Sequence, residues 1–144
     1  MISYDDFAKV EIKVGKILSA EKIPDTDKLF KLSVDFGQIT ETLATIAPVG
    51  QVAEDAEMRA GKPIAEVQMT EMKRDVRQIV SGIAPYFADP AVLIGKKCMF
   101  VTNLEPRKIK GFESNGMLFA VSTQDGKFSL LEPGGDIPEG TKAK

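Results

Sequence analysis

From Lys9 onward the chain alternates: Val10, Ile12, Val14 and Ile17 are apolar, while Lys9, Glu11, Lys13 and Lys16 are charged. A two-residue period predicts a half-buried strand with one wet face, on which Lys13 and Lys16 stand. Gly15 interrupts the pattern and predicts a bulge or bend of the kind that curls a sheet into a small barrel. Pro24-Asp-Thr-Asp27 reads as a turn, and Leu29, Phe30, Leu32, Val34 and Phe36 form a second strand ending at Gly37. Three more β-type runs follow: Val76 to Ile83, Lys96 to Leu104 and Gly116 to Ser122. Gln124-Asp-Gly-Lys127 is a hairpin-type turn into a last short strand, Phe128 to Leu131.

Helical signals are few. Ser3-Tyr-Asp-Asp6 has the form of a capping box with Asp in place of Glu, so one short helix is expected there. Ala84 to Ile94 reads as a short helix or helical turn, with Asp89 as its cap and Pro90 at its first position. Five short antiparallel strands with a helix between the third and fourth describe an all-β, five-stranded OB-fold barrel. Residues 38–75 fall outside that minimal barrel and are expected as an insertion between strands two and three of a single domain, 1–144. The β-branched Thr40, Thr42, Thr45 and Ile46 and the alternation at Val67 and Met69 favour a long β-hairpin there, over a helical excursion across Val52 to Ala60.

Composition narrows the chemistry. The 144 residues suffice for one well-packed core, and 43% hydrophobic with 28% charged residues describes an ordinary soluble globular protein. No apolar run approaches the length of a membrane span, and Met1-Ile-Ser-Tyr-Asp-Asp6 lacks a signal peptide's basic and apolar regions, so a cytoplasmic location is expected. Cys98, the single cysteine, sits in an apolar run and reads as a core residue rather than a nucleophile. The chain has no histidine, which removes Ser-His and Cys-His nucleophile pairs, histidine general bases and most zinc or iron sites. No carboxylate pair lies in an apolar setting, and Pro133-Gly-Gly-Asp136 lacks the spacing of a phosphate loop. Neither an enzyme, a cofactor nor a metal site is expected.

The net charge is -2, but it is unevenly spread: residues 38–75 hold four basic and seven acidic residues, which leaves the remainder cationic by one. Cations concentrate in Asn103-Leu-Glu-Pro-Arg-Lys-Ile-Lys-Gly-Phe-Glu-Ser-Asn-Gly-Met117, where Arg107, Lys108 and Lys110 stand among turn-forming residues between two apolar runs. A turn joining two strands holds side chains on a rigid rim, and cations on such a rim suit a phosphate backbone. Taken alone, Pro-Arg-Lys reads as a solvated turn.

Six segments in order resemble the tRNA-binding domain family. They are Phe7-Ala-Lys-Val-Glu-Ile-Lys-Val-Gly-Lys-Ile17, Pro24-Asp-Thr-Asp-Lys-Leu29, Arg77-Gln-Ile-Val-Ser-Gly-Ile83, Gly95-Lys96, Asn103-Leu-Glu-Pro-Arg-Lys108 and Glu113-Ser-Asn-Gly-Met-Leu118. The family includes free-standing bacterial tRNA-binding proteins, the C-terminal domain of many bacterial methionyl-tRNA synthetases and EMAP II-like cofactors. The resemblance covers residues 7–37 and 76–140. It implies tRNA binding by shape and backbone rather than base sequence, in trans to a synthetase or as a subunit of one, and a homodimer paired through C-terminal segments. It also implies Lys13, Lys16, Arg107, Lys108 and Lys110 as phosphate contacts. Ser81, Asn103, Ser114 and Asn115 would bond phosphate or a 2′-hydroxyl. Each of the polar set also has a structural reading, Ser81 closing a strand and Asn103 and Asn115 bonding their own backbone. The family usually has Arg at Lys13, Lys at Glu105 and Gln at Asn115. A related branch of the fold is linked to export chaperoning, so binding of unfolded polypeptide is the alternative.

Overall fold

The computed structural model describes residues 1–39 and 73–144. Its strands are β1 (Ile12–Lys22), β2 (Phe30–Gln38), β3 (Arg74–Ser81), β4 (Lys97–Val101), β5 (Arg107–Ile109), β6 (Phe112–Ser114), β7 (Met117–Leu118), β8 (Ala120–Ser122) and β9 (Phe128–Leu130). One helix, α1 (Tyr4–Phe7), precedes β1, and two 3-10 helices, Ala84–Tyr86 and Pro90–Leu93, link β3 to β4. The chain divides into two compact units, Met1–Gly37 with Val76–Lys144, and Gln38–Asp75. The hairpin expected within the second unit falls on residues outside the described ones.

Five strands form a curled antiparallel half-barrel in the order β3-β2-β1-β4-β7, as the all-β, OB-type expectation required. β1 is its spine: its first half pairs with β4, from Ile12↔Val101 to Lys16↔Lys97, and its second half with β2, from Lys16↔Asp35 to Lys22↔Phe30. The local signals formed as read. Ser3 Oγ accepts from the Asp6 amide at 3.1 Å while the Asp6 carboxylate accepts from the Ser3 amide at 3.3 Å. Asp89 accepts from the Ala91 amide at 3.0 Å with Pro90 in the first helical position. No helix among the described residues is long and apolar enough to cross a membrane.

Gly15 does something other than bulge. The ladder runs through it without a slip, and the irregularity comes later, between Ile17 and Ser19. A Cβ on Gly15 would lie 2.6 Å from the Phe36 ring, 2.6 Å from Val34 and 2.8 Å from the Phe100 ring. The missing side chain lets Phe36 and Phe100 meet edge to face, their centroids 5.2 Å apart, at the centre of a core built with Ile17, Phe30, Leu32, Val34, Ile79 and Leu93. Cys98 is fully buried in the same core, and burial pushes its thiol up to about 12, so it stays protonated and acts as a small apolar filler.

The expected fifth strand divides at Phe119. Met117–Leu118 pairs with β4, and Ala120–Ser122 pairs with β9 in a separate two-stranded ladder. Phe119 itself donates to Met99 O at 3.0 Å and accepts from the Leu131 amide at 3.3 Å. The C-terminal segment is also spoken for within the chain. Gly140 donates to Val14 O at 2.7 Å, Val14 to Thr141 O at 2.9 Å and Ala143 to Ile12 O at 2.8 Å, covering the part of β1 that β2 does not reach. Lys97 fastens the same segment through Ile137 O at 3.0 Å and the carboxylates of Asp136 and Glu139 at 3.6 and 3.7 Å.

Gly15→Ala is therefore expected to destabilise the domain by about 1–3 kcal/mol through overpacking. Gly134→Ala, with open space around the site, is expected to stay within about 0.5 kcal/mol of the parent. Urea midpoints of the two variants test this, and equal midpoints would contradict the packing role of Gly15.

Candidate nucleic-acid interface

The stretch expected as a rim turn is a β-hairpin in its own right. β5 and β6 pair as Arg107↔Ser114, Lys108↔Glu113 and Ile109↔Phe112. Lys110 and Gly111 form its two-residue tip, with φ of 52° and 85°. Positive φ at both central residues is the type I′ signature, whose twist matches that of the flanking strands. Gly111 adopts it freely; Lys110 does so at some cost, as a non-glycine residue in the left-handed region.

Alternation along the hairpin then sorts its side chains. Arg107, Ile109, Phe112 and Ser114 share the face turned toward the barrel, and Lys108 and Glu113 share the other. Arg107, Ile109 and Ser114 line a groove of about 310 Å³ whose opposite wall is Val80, Ser81 and Gly82 at the end of β3. Leu104, Glu105 and Met117 complete it. Lys108 and Lys110 are exposed outside the groove. Phe112 leans on β2, where the Lys31 ammonium lies 5.2 Å from its ring centroid.

Polar side chains anchor the hairpin to β3. Ser114, only 5% exposed, accepts from the Val80 amide at 3.0 Å and donates to Gly116 O at 3.2 Å. The Asn115 amide donates to Gln78 O at 2.9 Å, and Gln78 Nε2 donates to Glu113 O at 2.9 Å. Arg77 donates to the carbonyls of Thr102 and Asn115, and its guanidinium sits 5.3 Å from the Phe36 ring centroid. Arg77 and Gln78 are the residues that sequence reading passed over, as ordinary members of a strand. Their signal was adjacent long polar side chains in a run otherwise of β-branched residues.

The remaining expected contacts are dispersed. Lys13 and Lys16 do not share one wet face, because residues three apart in a strand without a slip point to opposite sides. Lys13 pairs across the ladder with Phe100, on the inner side at the barrel's end, and its ammonium lies 3.6 Å from Glu11. Lys16 stands on the outer side between Asp35 and Lys97. Asn103 spends its amide on the segment ahead of β1, accepting from the Glu11 amide at 2.8 Å and donating to Lys9 O at 2.6 Å. The Asn115 side chain makes no hydrogen bond to a described residue. Ser81, half-buried, faces the groove. The groove thus brings together Ser81, Arg107 and Ser114, with Lys108 and Lys110 on the adjoining hairpin surface.

The cations differ in their company. Lys13, Lys31, Lys96 and Lys97 are each in an ion pair with a carboxylate of the chain. Arg107, Lys108 and Lys110 make none among the described residues. Glu11, beside Lys13, accepts from Thr102 Oγ1 at 2.6 Å, and that bond, aided by the Lys13 and Lys142 charges, holds its carboxyl below the usual glutamate range. A carboxyl whose pKa falls on folding adds stability above its unfolded pKa and loses it as pH falls through the folded one. Thr102→Val should therefore cost about 1 kcal/mol at neutral pH and flatten the acid-side decline in stability. Urea unfolding across the acid range checks this, and parallel pH profiles for variant and parent would contradict it.

A family model described as a putative tRNA binding domain matches residues 12–74 and 47–142. The chain is similar to the methionine–tRNA ligase of Methanospirillum hungatei, 40% identical over 143 residues, a match covering 99% of this chain and 16% of the ligase. It is 41% identical over 143 residues to the methionine–tRNA ligase of Myxococcus xanthus, covering 99% of this chain and 15% of the ligase. The chain thus spans a small fraction of the length of these curated relatives. Among solved structures, the methionyl-tRNA synthetase-related protein of Pyrococcus horikoshii superposes with a TM-score of 0.69 at 34% identity, over 100% of this chain and 98% of that one. The CsaA chaperone protein of Picrophilus torridus superposes with a TM-score of 0.67 at 26% identity, over 100% of both chains. With its OB-type barrel and a family match over most of its length, the chain belongs to the tRNA-binding domain family.

Proposed function

We propose that the chain binds tRNA by its shape and backbone, largely without regard to sequence, and presents it to an aminoacyl-tRNA synthetase in trans or as that enzyme's subunit. The observation that carries this reading is the hairpin with three cations that make no ion pair among the described residues, beside a groove edged by Ser81 and Arg107. Unpaired cations on a rigid element can release counterions from a phosphate backbone, whereas cations already paired gain less by doing so. Arg107 would enter from the groove side, and Lys108 and Lys110 from the outer face, so that the strand passes along the hairpin rather than across it. The role is binding without catalysis or cofactor, in the cytoplasm. Ser81 and the side-chain amide of Asn115 would bond a phosphate or 2′-hydroxyl, while Lys13, Lys16, Asn103 and Ser114 act through the fold that carries the hairpin.

A second reading has its own observation. Leu104, Ile109 and Met117 give the groove apolar walls, and Glu105 puts an anion next to Arg107. An extended polypeptide would suit such walls, and one solved relative is described as a chaperone. The two readings respond oppositely to salt, since backbone binding weakens steeply and apolar binding does not.

We further propose a homodimer. The exposed apolar residues Ile2, Tyr4 and Phe7 around α1 offer a surface for pairing beside the C-terminal segment that lies on β1. Two hairpins in one assembly would span an object the size of tRNA.

The test is a salt-dependent titration of mixed tRNA with the parent, Arg107→Ala, Lys108→Ala and Glu105→Lys. Each alanine variant should bind more weakly and flatten the salt slope by about one unit, with stability nearly unchanged. Glu105→Lys should tighten binding. Light scattering of the same samples should return a dimer mass, and a monomer mass at micromolar concentration removes the dimer. Equal affinities and slopes for all four proteins would show that this hairpin does not bind RNA and put the polypeptide reading first.

A further inference from the structure

We propose that Tyr86 is a stacking platform for an unpaired base of bound RNA, a second contact site beyond the hairpin. The inference rests on the RNA-binding reading above and extends it to a place that reading does not use. Tyr86 lies in the 3-10 turn after β3, stacked on Phe128 of β9 with ring centroids 4.0 Å apart and planes within 10°. Phe128 is held in turn by Phe87, edge to face at 5.7 Å. Tyr86 is 45% exposed, so the ring is braced by Phe128 and still open to solvent. The backbone beneath it is fixed: Tyr86 donates to Ile83 O at 3.0 Å, and Ala84 to Lys28 O at 3.3 Å. A flat ring, rigidly mounted and supported by a second ring, is the geometry on which a nucleobase stacks whatever its identity.

Its surroundings suit a nucleotide better than an apolar side chain. A groove of about 360 Å³ beside the rings adds Lys96, Glu132 and Ser129 to the apolar Phe87, Phe128 and Leu130. Lys96 and Glu132 face each other at 3.5 Å, and Lys127 stands exposed on the neighbouring turn with Asp125. The Lys127 side chain is exposed and makes no ion pair with a described residue. Lys127 can therefore meet a phosphate, and Ser129 can bond a base edge. The platform is also within reach of the hairpin groove. Tyr86 is four positions along the chain from Gly82, in the groove wall, so their Cα atoms lie at most about 14 Å apart. An RNA strand gripped beside Gly82 has its next few nucleotides at that distance.

The chain has no tryptophan, so Tyr86→Trp introduces a single emitter at the platform and keeps the stacking surface. Titration of this variant with a single-stranded oligoadenylate and with mixed tRNA should quench its emission. Tyr86→Leu, which keeps apolar cover over Phe128 but not the flat face, should bind end-labelled oligoadenylate about 5-fold to 100-fold more weakly, with its salt slope unchanged. Its urea midpoint, measured alongside, separates that loss from unfolding. Emission unchanged while the labelled RNA is bound overturns the inference and leaves the RNA-binding reading intact. No binding of labelled RNA by the parent overturns both. Quenching by a reduced, unfolded polypeptide and not by RNA also overturns it, and assigns the platform to a different partner.

Discussion

The half-barrel has two exposed edges, β3 and β7, and the way they are brought together governs the rest of the molecule. Unpaired strand edges leave backbone groups without partners and invite pairing with other chains. Here the gap is bridged by a few specific bonds: Ser114 Oγ to the Val80 amide, the Asn115 amide to Gln78 O, and Arg77 to two carbonyls. All but the Arg77 bond to Thr102 run through the base of the β5–β6 hairpin. Closing the barrel and fixing the cation-bearing element are consequently one event.

That economy explains how a chain of net charge -2 can present a basic site. The inward face of the hairpin is given to closure, with Ile109 and Phe112 against the barrel and Ser114 in the seam. Strand alternation then obliges Lys108 to point away, and the tip carries Lys110 outward. Several cations elsewhere are held by acids, as with Lys97 in fastening the C-terminal segment or Lys31 beside Glu21 at 3.0 Å. The hairpin's three cations make no ion pair among the described residues, so one rigid element carries positive charge without a basic composition overall.

The β pattern, both caps and the helical link were legible in the sequence because each is set by residues a few positions apart. Ser3 with Asp6, and Asp89 with Pro90, carry their own instructions. What was not legible depends on neighbours remote in the chain. Gly15 looks like a bulge signal until Phe36 and Phe100 are known to converge on it. Asn103 looks like a turn residue or an RNA contact until its amide is found bonding Lys9 and Glu11, more than ninety positions away. Lys13 and Lys16 were placed on one face by their charge pattern, although the two-residue period itself separates them. Ser114, expected to meet RNA, is buried in the seam, and the seam's other partners, Arg77 and Gln78, gave no local sign of that role.

The central claim is that RNA lies along the hairpin and the wall of β3 facing it. Amide hydrogen exchange of the intact chain, with and without saturating mixed tRNA, tests it without altering any residue. The account predicts slowed exchange concentrated in residues 81–82 and 104–114, with little change in β8 and along the C-terminal segment on β1. Unchanged exchange in the hairpin, with protection appearing on another face, would contradict it.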